Sequence, residues 1–267
     1  MASTALTKAI KRVVNNQSET KQVAWYSGPL QNGTFANASY VNHNAQISSN
    51  VSDILRLIPY INQGTADNQR IGETIVPKSL VVNGSVRLSD GTLNDVVAGF
   101  RDDIVVVLYV LQHVSLKTYT SLASLNNFTQ LLRTSENTTA AFTGRVVDSQ
   151  LPVEDQYYRL LSKKKLRLRY AGAIPGSATG VPVNSVVSVS NSHSYYADFN
   201  FNLSKHLPAK LKYPEQVTGG PVLPGAIDPT NSSIFMAVGF YNMDGTPTPA
   251  DQLMSIQWSS FLKYKDT

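Results

Sequence analysis

Apolar and polar positions alternate along much of this chain. Leu80, Val82, Val86 and Leu88 alternate with Ser79, Asn83, Ser85 and Arg87, a period of two that predicts a strand with one apolar face over 75–88. Pro77 stands near its start, where a missing N–H costs least, and Gly84 falls on the apolar face, marking a bulge or a close backbone approach. Ile104 to Leu111 is a continuous apolar, β-branched run, so a strand over 104–112 is expected to be buried on both sides. In 157–170 Leu166, Leu168 and Tyr170 alternate with Lys165, Arg167 and Arg169, and 181–190 reads as a weaker strand. Tyr195, Ala197, Phe199, Phe201 and Leu203 alternate with Tyr196, Asp198, Asn200 and Asn202. A buried run over 234–241 ends at the turn Asn242-Met243-Asp244-Gly245, and 253–264 closes the chain with Trp258, Leu262 and Tyr264 on one face.

Between these strands lie the connections 115–153, 171–180 and 214–233, long enough to be functional or interfacial, and the first and last read as too polar for the core. Leu122, Leu125, Phe128, Leu131 and Leu132 predict a short helix within 121–133. Strands are expected to begin near Asp53. Residues 1–52 read as an arm: Leu6, Ile10, Val13 and Val14 share one short helical face, and the rest is extended or disordered unless a neighbour orders it. The block 53–267 reads as one domain. About eight strands with long connections and almost no helix describe an all-β sandwich of two packed sheets.

Composition agrees. Charged residues are only 15% of the 267 positions, while Ser, Thr, Asn and Gly are plentiful, which favours short strands and polar loops over helices. There is no cysteine, which excludes disulfides, thiolate metal sites and thiol nucleophiles. No secretory signal is visible at the start of the chain, and no apolar run is long enough to span a membrane. His43, His113, His193 and His206 are scattered without metal-ligand spacing, and no nucleophile elbow or phosphate-binding glycine loop occurs. The chain therefore reads as a non-enzyme with no cofactor and no metal.

The net charge of +5 is concentrated. Arg159, Lys163, Lys164, Lys165, Arg167 and Arg169 place six positive charges in eleven residues without an acid, leaving 5 − 6 = −1 for the remainder. Lys165, Arg167 and Arg169 recur along one strand face about every 7 Å, on the order of the step between phosphates in an extended nucleic acid. Such a row binds phosphates without reading bases. It equally suits a polyanionic glycan, or a solvated strand face whose charges guard an edge against aggregation. Lys8, Lys11 and Arg12 add a weaker basic cluster in the arm, which with Lys21 and against Glu19 carries 4 − 1 = +3. Nine Asn-x-Ser/Thr sequons occur, more than chance gives, with Asn83 and Asn202 falling inside predicted strands.

The order of several motifs is also familiar. An apolar segment with Ile58 and Ile61 leads to Gln63-Gly64-Thr65, then Asp67-x-Gln69-Arg70-Ile71-Gly72, then Lys78-Ser79-Leu80. This resembles the entry into the first strand of capsid proteins of CRESS-DNA viruses, the circovirus-like group. Ser259-Ser260-Phe261-Leu262-Lys263-Tyr264-Lys265-Asp266 is similar to the last strand of those capsids. The resemblance covers the chain from about residue 50 onward. It implies a single eight-stranded jelly roll that self-assembles into a T=1 icosahedral shell of 60 copies around circular single-stranded DNA. Virion localisation, assembly in the host nucleus or cytoplasm, and a host receptor or glycan as further partner are implied with it. The polyanion-binding candidates are then Lys163, Lys164, Lys165, Arg167 and Arg169, with Lys8, Lys11 and Arg12. The chain departs from that group in its arm, which lacks the usual long Arg-rich tract. A secreted or surface-bound carbohydrate-binding β-sandwich is the alternative from another class.

Overall fold

Strands β5 (Thr74–Leu88) and β13 (Met254–Asp266) pair antiparallel along nearly their whole length and form the spine of one sheet. The computed structural model of the chain describes residues 20–25, 40–41, 44–47, 54–59, 61–88, 103–122, 128–136, 138–169, 196–214, 228–243, 245 and 254–266. Beyond β13 lies β1 (Thr20–Trp25), and beyond β5 lies β10 (Tyr196–Asn202). Two short strands extend this sheet: β3 (Asn44–Ile47) beside β13 and β11 (Leu211–Lys212) beside β5. In the second sheet β2 (Tyr40–Val41), β4 (Ile54–Arg56), β12 (Ile234–Asn242), β6 (Asp103–His113) and β9 (Tyr158–Arg169) follow one another in that spatial order. Among the described strands all pairings are antiparallel except β2 with β4. A separate hairpin joins β7 (Leu132–Ser135) and β8 (Thr138–Ala140). The chain is thus an all-β protein with two principal sheets.

One core joins the sheets. From the first come Leu80, Val82, Val86, Phe199, Phe201, Trp258 and Leu262; from the second come Ile104, Val106, Leu108, Val110, Leu166 and Leu168. The period of two delivers these residues to one face of each strand, and their removal from water stabilises the domain by roughly 1.5–3 kcal/mol for each large side chain. The Trp258 indole N–H donates to the backbone carbonyl of Arg56 at 2.9 Å, so a buried polar contact ties β13 to β4 across the core. Trp258 stands opposite Gly84, where a Cβ would run into the Phe199 ring and the Gln257 carbonyl. Gly84 is therefore a close approach and not a bulge; the irregularity in this pair lies between Lys263 and Tyr264.

β6 is buried on both faces, as its unbroken apolar run predicts. The reason is a second apolar layer supplied by the connection 115–153, which corrects the expectation that this connection is too polar for the core. Tyr119, Leu122, Phe128, Leu131, Leu132 and Phe142 are all buried. Phe142 packs edge-on against Tyr109 with ring centres 6.1 Å apart, and Phe128 stacks on Tyr158 at 5.9 Å and leans on Phe235 at 6.0 Å. The predicted helix over 121–133 does not reach its C-terminal end. Among the described residues of this stretch helical geometry covers Tyr119–Leu122, residues 123–127 lie outside the described residues, and Leu132 begins β7, pairing with Ala140 and bridging to Val153. So short a helix has little stability of its own and yields to strand pairing that buries the same leucines.

Strands also begin earlier than Asp53. β1 lies within the arm and pairs from Thr20 to Trp25 with the last strand, because Val23 adds to the core and Lys21 is held by Asp266 and Gln69 as described below. The predicted helical face of Leu6, Ile10, Val13 and Val14 and the predicted strand 181–190 lie outside the described residues, as does most of 214–233.

Candidate nucleic-acid interface

The basic candidates sit on β9, the edge strand of its sheet, and strand alternation divides them. Leu166 and Leu168 turn into the core, so Lys165 and Arg167 turn out and are exposed. Lys163 shares their face. It lies opposite Tyr109 with its ammonium 4.8 Å from the ring centre, and it donates to the Ser149 carbonyl at 2.9 Å. Lys165 donates to the Ser149 hydroxyl at 3.0 Å. The 3₁₀ turn Val147–Ser149 thus occupies two of the cations that the sequence offers to a ligand. Burial, and then the neighbouring Lys165, lowers the Lys163 pKa. Burial raises the Tyr109 hydroxyl beneath it, with Asp148 and Tyr241 adding to the shift. Arg169 is at the end of β9 with its side chain outside the described set, and Lys8, Lys11 and Arg12 lie outside the described residues.

Lys164 points the other way, and this the sequence reading did not separate. β9 and β10, edge strands of different sheets, lie alongside each other. A shallow, open depression of about 630 Å³ lies across β5, β10 and β13, and Lys164 of β9 lines it with Asp198, Phe199 and Asn200 of β10. Asn83 and Gln257 of the neighbouring strands complete a lining rich in amides, and the Asn200 amide donates to the Asn83 side-chain oxygen. Farther along, His206 has a lowered pKa, first through burial and then through the positive charges of Lys205 and Arg159. Arg159 of β9 and Lys205 are thus within electrostatic range of His206, in the turn Ser204–His206 that follows β10. Lys205 and His206 escaped the sequence reading because they stand in a polar turn; only the fold brings His206 within electrostatic range of Arg159.

A second constellation joins the two motifs that carry the capsid resemblance. The segment 61–72 is a closed loop in which the Gly64 N–H donates to the Arg70 carbonyl at 2.9 Å and the Arg70 N–H to the Asn62 carbonyl at 2.9 Å. A Cβ on Gly64 would strike the Gln69 side chain, which accepts from the Ala66 N–H at 3.2 Å. Arg70 is fully buried, stacked 4.8 Å over the Tyr213 ring and donating to the carbonyls of Gly72 at 2.6 Å and Pro214 at 3.1 Å. Asp266, at the end of β13, accepts from the Ile71 N–H at 3.3 Å and pairs with Lys21 of β1 at 2.9 Å. Lys21 also donates to the Gln69 carbonyl at 2.9 Å. The loop, the first strand and the last strand are thus locked at one corner.

Among the described residues no three His, Asp or Glu side chains group as metal ligands do, and no helix is long and apolar enough to cross a membrane. No model of a known protein family and no curated protein matches the sequence.

Proposed function

We propose that the chain is a viral coat protein whose jelly-roll domain self-assembles into a small icosahedral shell around circular single-stranded DNA, and that it is not an enzyme. The observation that carries this reading is the pairing of the eight principal strands. Taken in chain order, β1, β4, β5, β6, β9, β10, β12 and β13 pair first with eighth, second with seventh, third with sixth and fourth with fifth. The first and third pairs lie in one sheet and the second and fourth in the other, an arrangement that supports the jelly-roll reading. The corner where Gln69, Arg70 and Ile71 meet Asp266 adds support, since it unites residues of the two motifs that resemble CRESS-DNA virus capsids.

The mechanism of such a protein is surface complementarity. Many copies of one weak contact close by symmetry, so no single contact need be strong. The cations of the strip and arm come to about nine per subunit, 6 + 3, fewer than a packaged genome's phosphates require without mobile counterions. Apolar burial between subunits then supplies most of the assembly free energy, and salt does not weaken it.

Sedimentation and negative-stain microscopy of the purified full-length protein test the reading. Particles of megadalton mass that persist in 1 M salt and after nuclease treatment are the expected result. A small species with sugar affinity would replace the coat reading with the carbohydrate-binding one. Shells that never appear without nucleic acid would make the genome the scaffold.

A further inference from the structure

We propose that the strap from Val114 to Leu122, which leaves the end of β6 and reaches the start of β12 and the segment after β4, is an acid-sensitive latch: protonation of His113 frees its root and loosens the layer that seals the outer face of the second sheet. At the root the His113 ring is buried, and its Nδ1 accepts the N–H groups of Ser115 at 3.1 Å and Leu116 at 3.0 Å. An imidazole that accepts at Nδ1 is neutral and carries its proton on Nε2. At the tip Tyr119 is buried beneath Arg56, whose guanidinium lies 4.5 Å from the ring centre. The Tyr119 hydroxyl donates to the Ile234 carbonyl and accepts from the Ile58 N–H at 3.1 Å. Between root and tip the Ser233 hydroxyl donates to the Leu116 carbonyl at 3.1 Å. The Thr118 N–H donates to the Ser121 hydroxyl at 3.3 Å and the Ser121 N–H to the Thr118 hydroxyl at 3.1 Å, which fixes the single helical turn.

A proton at Nδ1 removes both acceptor bonds at once and sets a third N–H against the two it held. Buried donors without a partner are costly, so the ring or the Ser115–Leu116 turn must move. The groups around the ring oppose its charged form. Lys117, on the strap itself, donates its ammonium to the His113 carbonyl at 3.2 Å. β9 presents the edge-on Tyr158 ring, 5.2 Å away between ring centres, with a hydroxyl that burial pushes up to about 12 and so keeps neutral. Ser232 and Ser233, ahead of β12, carry no charge. On the segment returning to β9, the Glu154 carboxylate faces Arg133 at 3.5 Å and accepts from the Gln156 N–H at 3.2 Å, and Asp155 pairs with Arg133 at 2.7 Å. Burial, and then the Lys117 charge, accordingly hold the His113 pKa below 6.5. The closed strap takes up this proton less readily than an open one, so acid favours opening. Opening draws Leu116, Tyr119 and Leu122 out of the outer layer. β5 and β13 pair with each other along nearly their whole length, so the first sheet keeps its own hold while the outer face of the second loosens.

The latch works in the same way whether or not the subunits form a shell. The test is hydrogen exchange read by mass spectrometry on the full-length protein at pH 7.5 and pH 5.0, with the assembly state at each pH known from sedimentation and rates corrected for the intrinsic pH dependence of amide exchange. An open strap whose His113 titrates at the ordinary 6.5 is favoured by up to about 30-fold over that interval. Exchange across 114–122 should therefore accelerate by up to about 30-fold, and exchange in β5 and β13 far less. His113→Asn keeps an acceptor without a titration, so it should hold the strap at pH 7.5 and accelerate by less than about threefold at pH 5.0. His113→Phe removes the acceptor and should exchange rapidly at both pH values. Lys117→Met removes the facing charge, so it should raise the His113 pKa read from its imidazole resonance by NMR and shrink the response to acid. The latch is overturned if exchange across 114–122 of the wild type accelerates by less than about threefold, or if His113→Asn responds like the wild type. It is equally overturned if β5 and β13 accelerate in step with the strap, which would make the response to acid global. Should the variants fail to fold, the wild-type imidazole titration decides: a His113 pKa at or above 6.5 removes the latch.

Discussion

Replacing Lys21 with Met keeps the side-chain stem and removes the charge that locks three parts of the chain together. Lys21 is only 5% exposed, and its ammonium makes two charge-assisted contacts, to Asp266 at 2.9 Å and to the Gln69 carbonyl at 2.9 Å. Removing one partner of a fully buried ion pair costs about 3–5 kcal/mol, and a hydrogen bond to a charged group contributes about 1.5–3 kcal/mol. Asp266 is 18% exposed overall and its other oxygen keeps the bond from the Ile71 N–H, so the carboxylate is only partly stripped of partners. The expected cost is therefore about 2–4 kcal/mol. It should appear first as local opening, because β1 is an edge strand bonded on one side to β13 alone. At 1.4 kcal/mol per decade, amide exchange across β1 should accelerate roughly 30- to 700-fold. The centre of β6, paired on both sides, should keep far more of its protection. Hydrogen exchange read by mass spectrometry resolves the two segments. Exchange across β1 within about threefold of wild type, some 0.7 kcal/mol, would refute the idea that this corner holds the first strand in the sheet.

Three further outcomes are expected. Gly84→Ala should destabilise the domain by about 1–3 kcal/mol in urea unfolding, because the new methyl meets the Phe199 ring and the Gln257 carbonyl; adding Phe199→Leu should recover part of the loss, and a wild-type midpoint for the single variant would contradict the packing. Phe142→Ala should cost about 3–5 kcal/mol and raise dye binding to exposed apolar surface, because it uncovers Tyr109; a cost below about 1 kcal/mol would show that 115–153 does not seal the sheet. His113 accepts the N–H groups of Ser115 and Leu116 on Nδ1 at 3.1 and 3.0 Å, and burial, then Lys117, lowers its pKa below the ordinary 6.5. The folded state therefore binds this proton less readily than the unfolded chain, and stability present above pH 6.5 is lost as the pH falls below it. His113→Asn keeps an acceptor there without a titration, so its unfolding midpoint should change less between pH 7 and 5; parallel curves for the two proteins would remove His113 from the account.

Much of this fold was legible along the chain because burial on one strand face leaves a period of two. Leu80, Val82 and Val86, Phe199 and Phe201, and Leu166 and Leu168 were assigned to buried faces from alternation alone, and each is buried. β6 was readable because a strand covered on both sides must be apolar at every position. The capping layer was misread: Phe128, Leu131 and Leu132 carry a helical spacing although Leu132 lies in β7, Phe142 has no period, and their burial depends on where the sheet offers Tyr109, Tyr158 and Phe235. β1 was hidden for a related reason, since a six-residue strand joins the sheet only through a partner at the far end of the chain. The basic strip was plain as a run of charge, and alternation separated Lys165 and Arg167 from the leucines between them. What charge and period could not tell is that Ser149 holds Lys163 and Lys165, or that Lys164 turns to the opposite side of β9. Periodicity is a local record of which side of a strand meets water. Which strands become neighbours, and so which distant side chains share a surface, is decided by pairing and packing that close only in the folded chain.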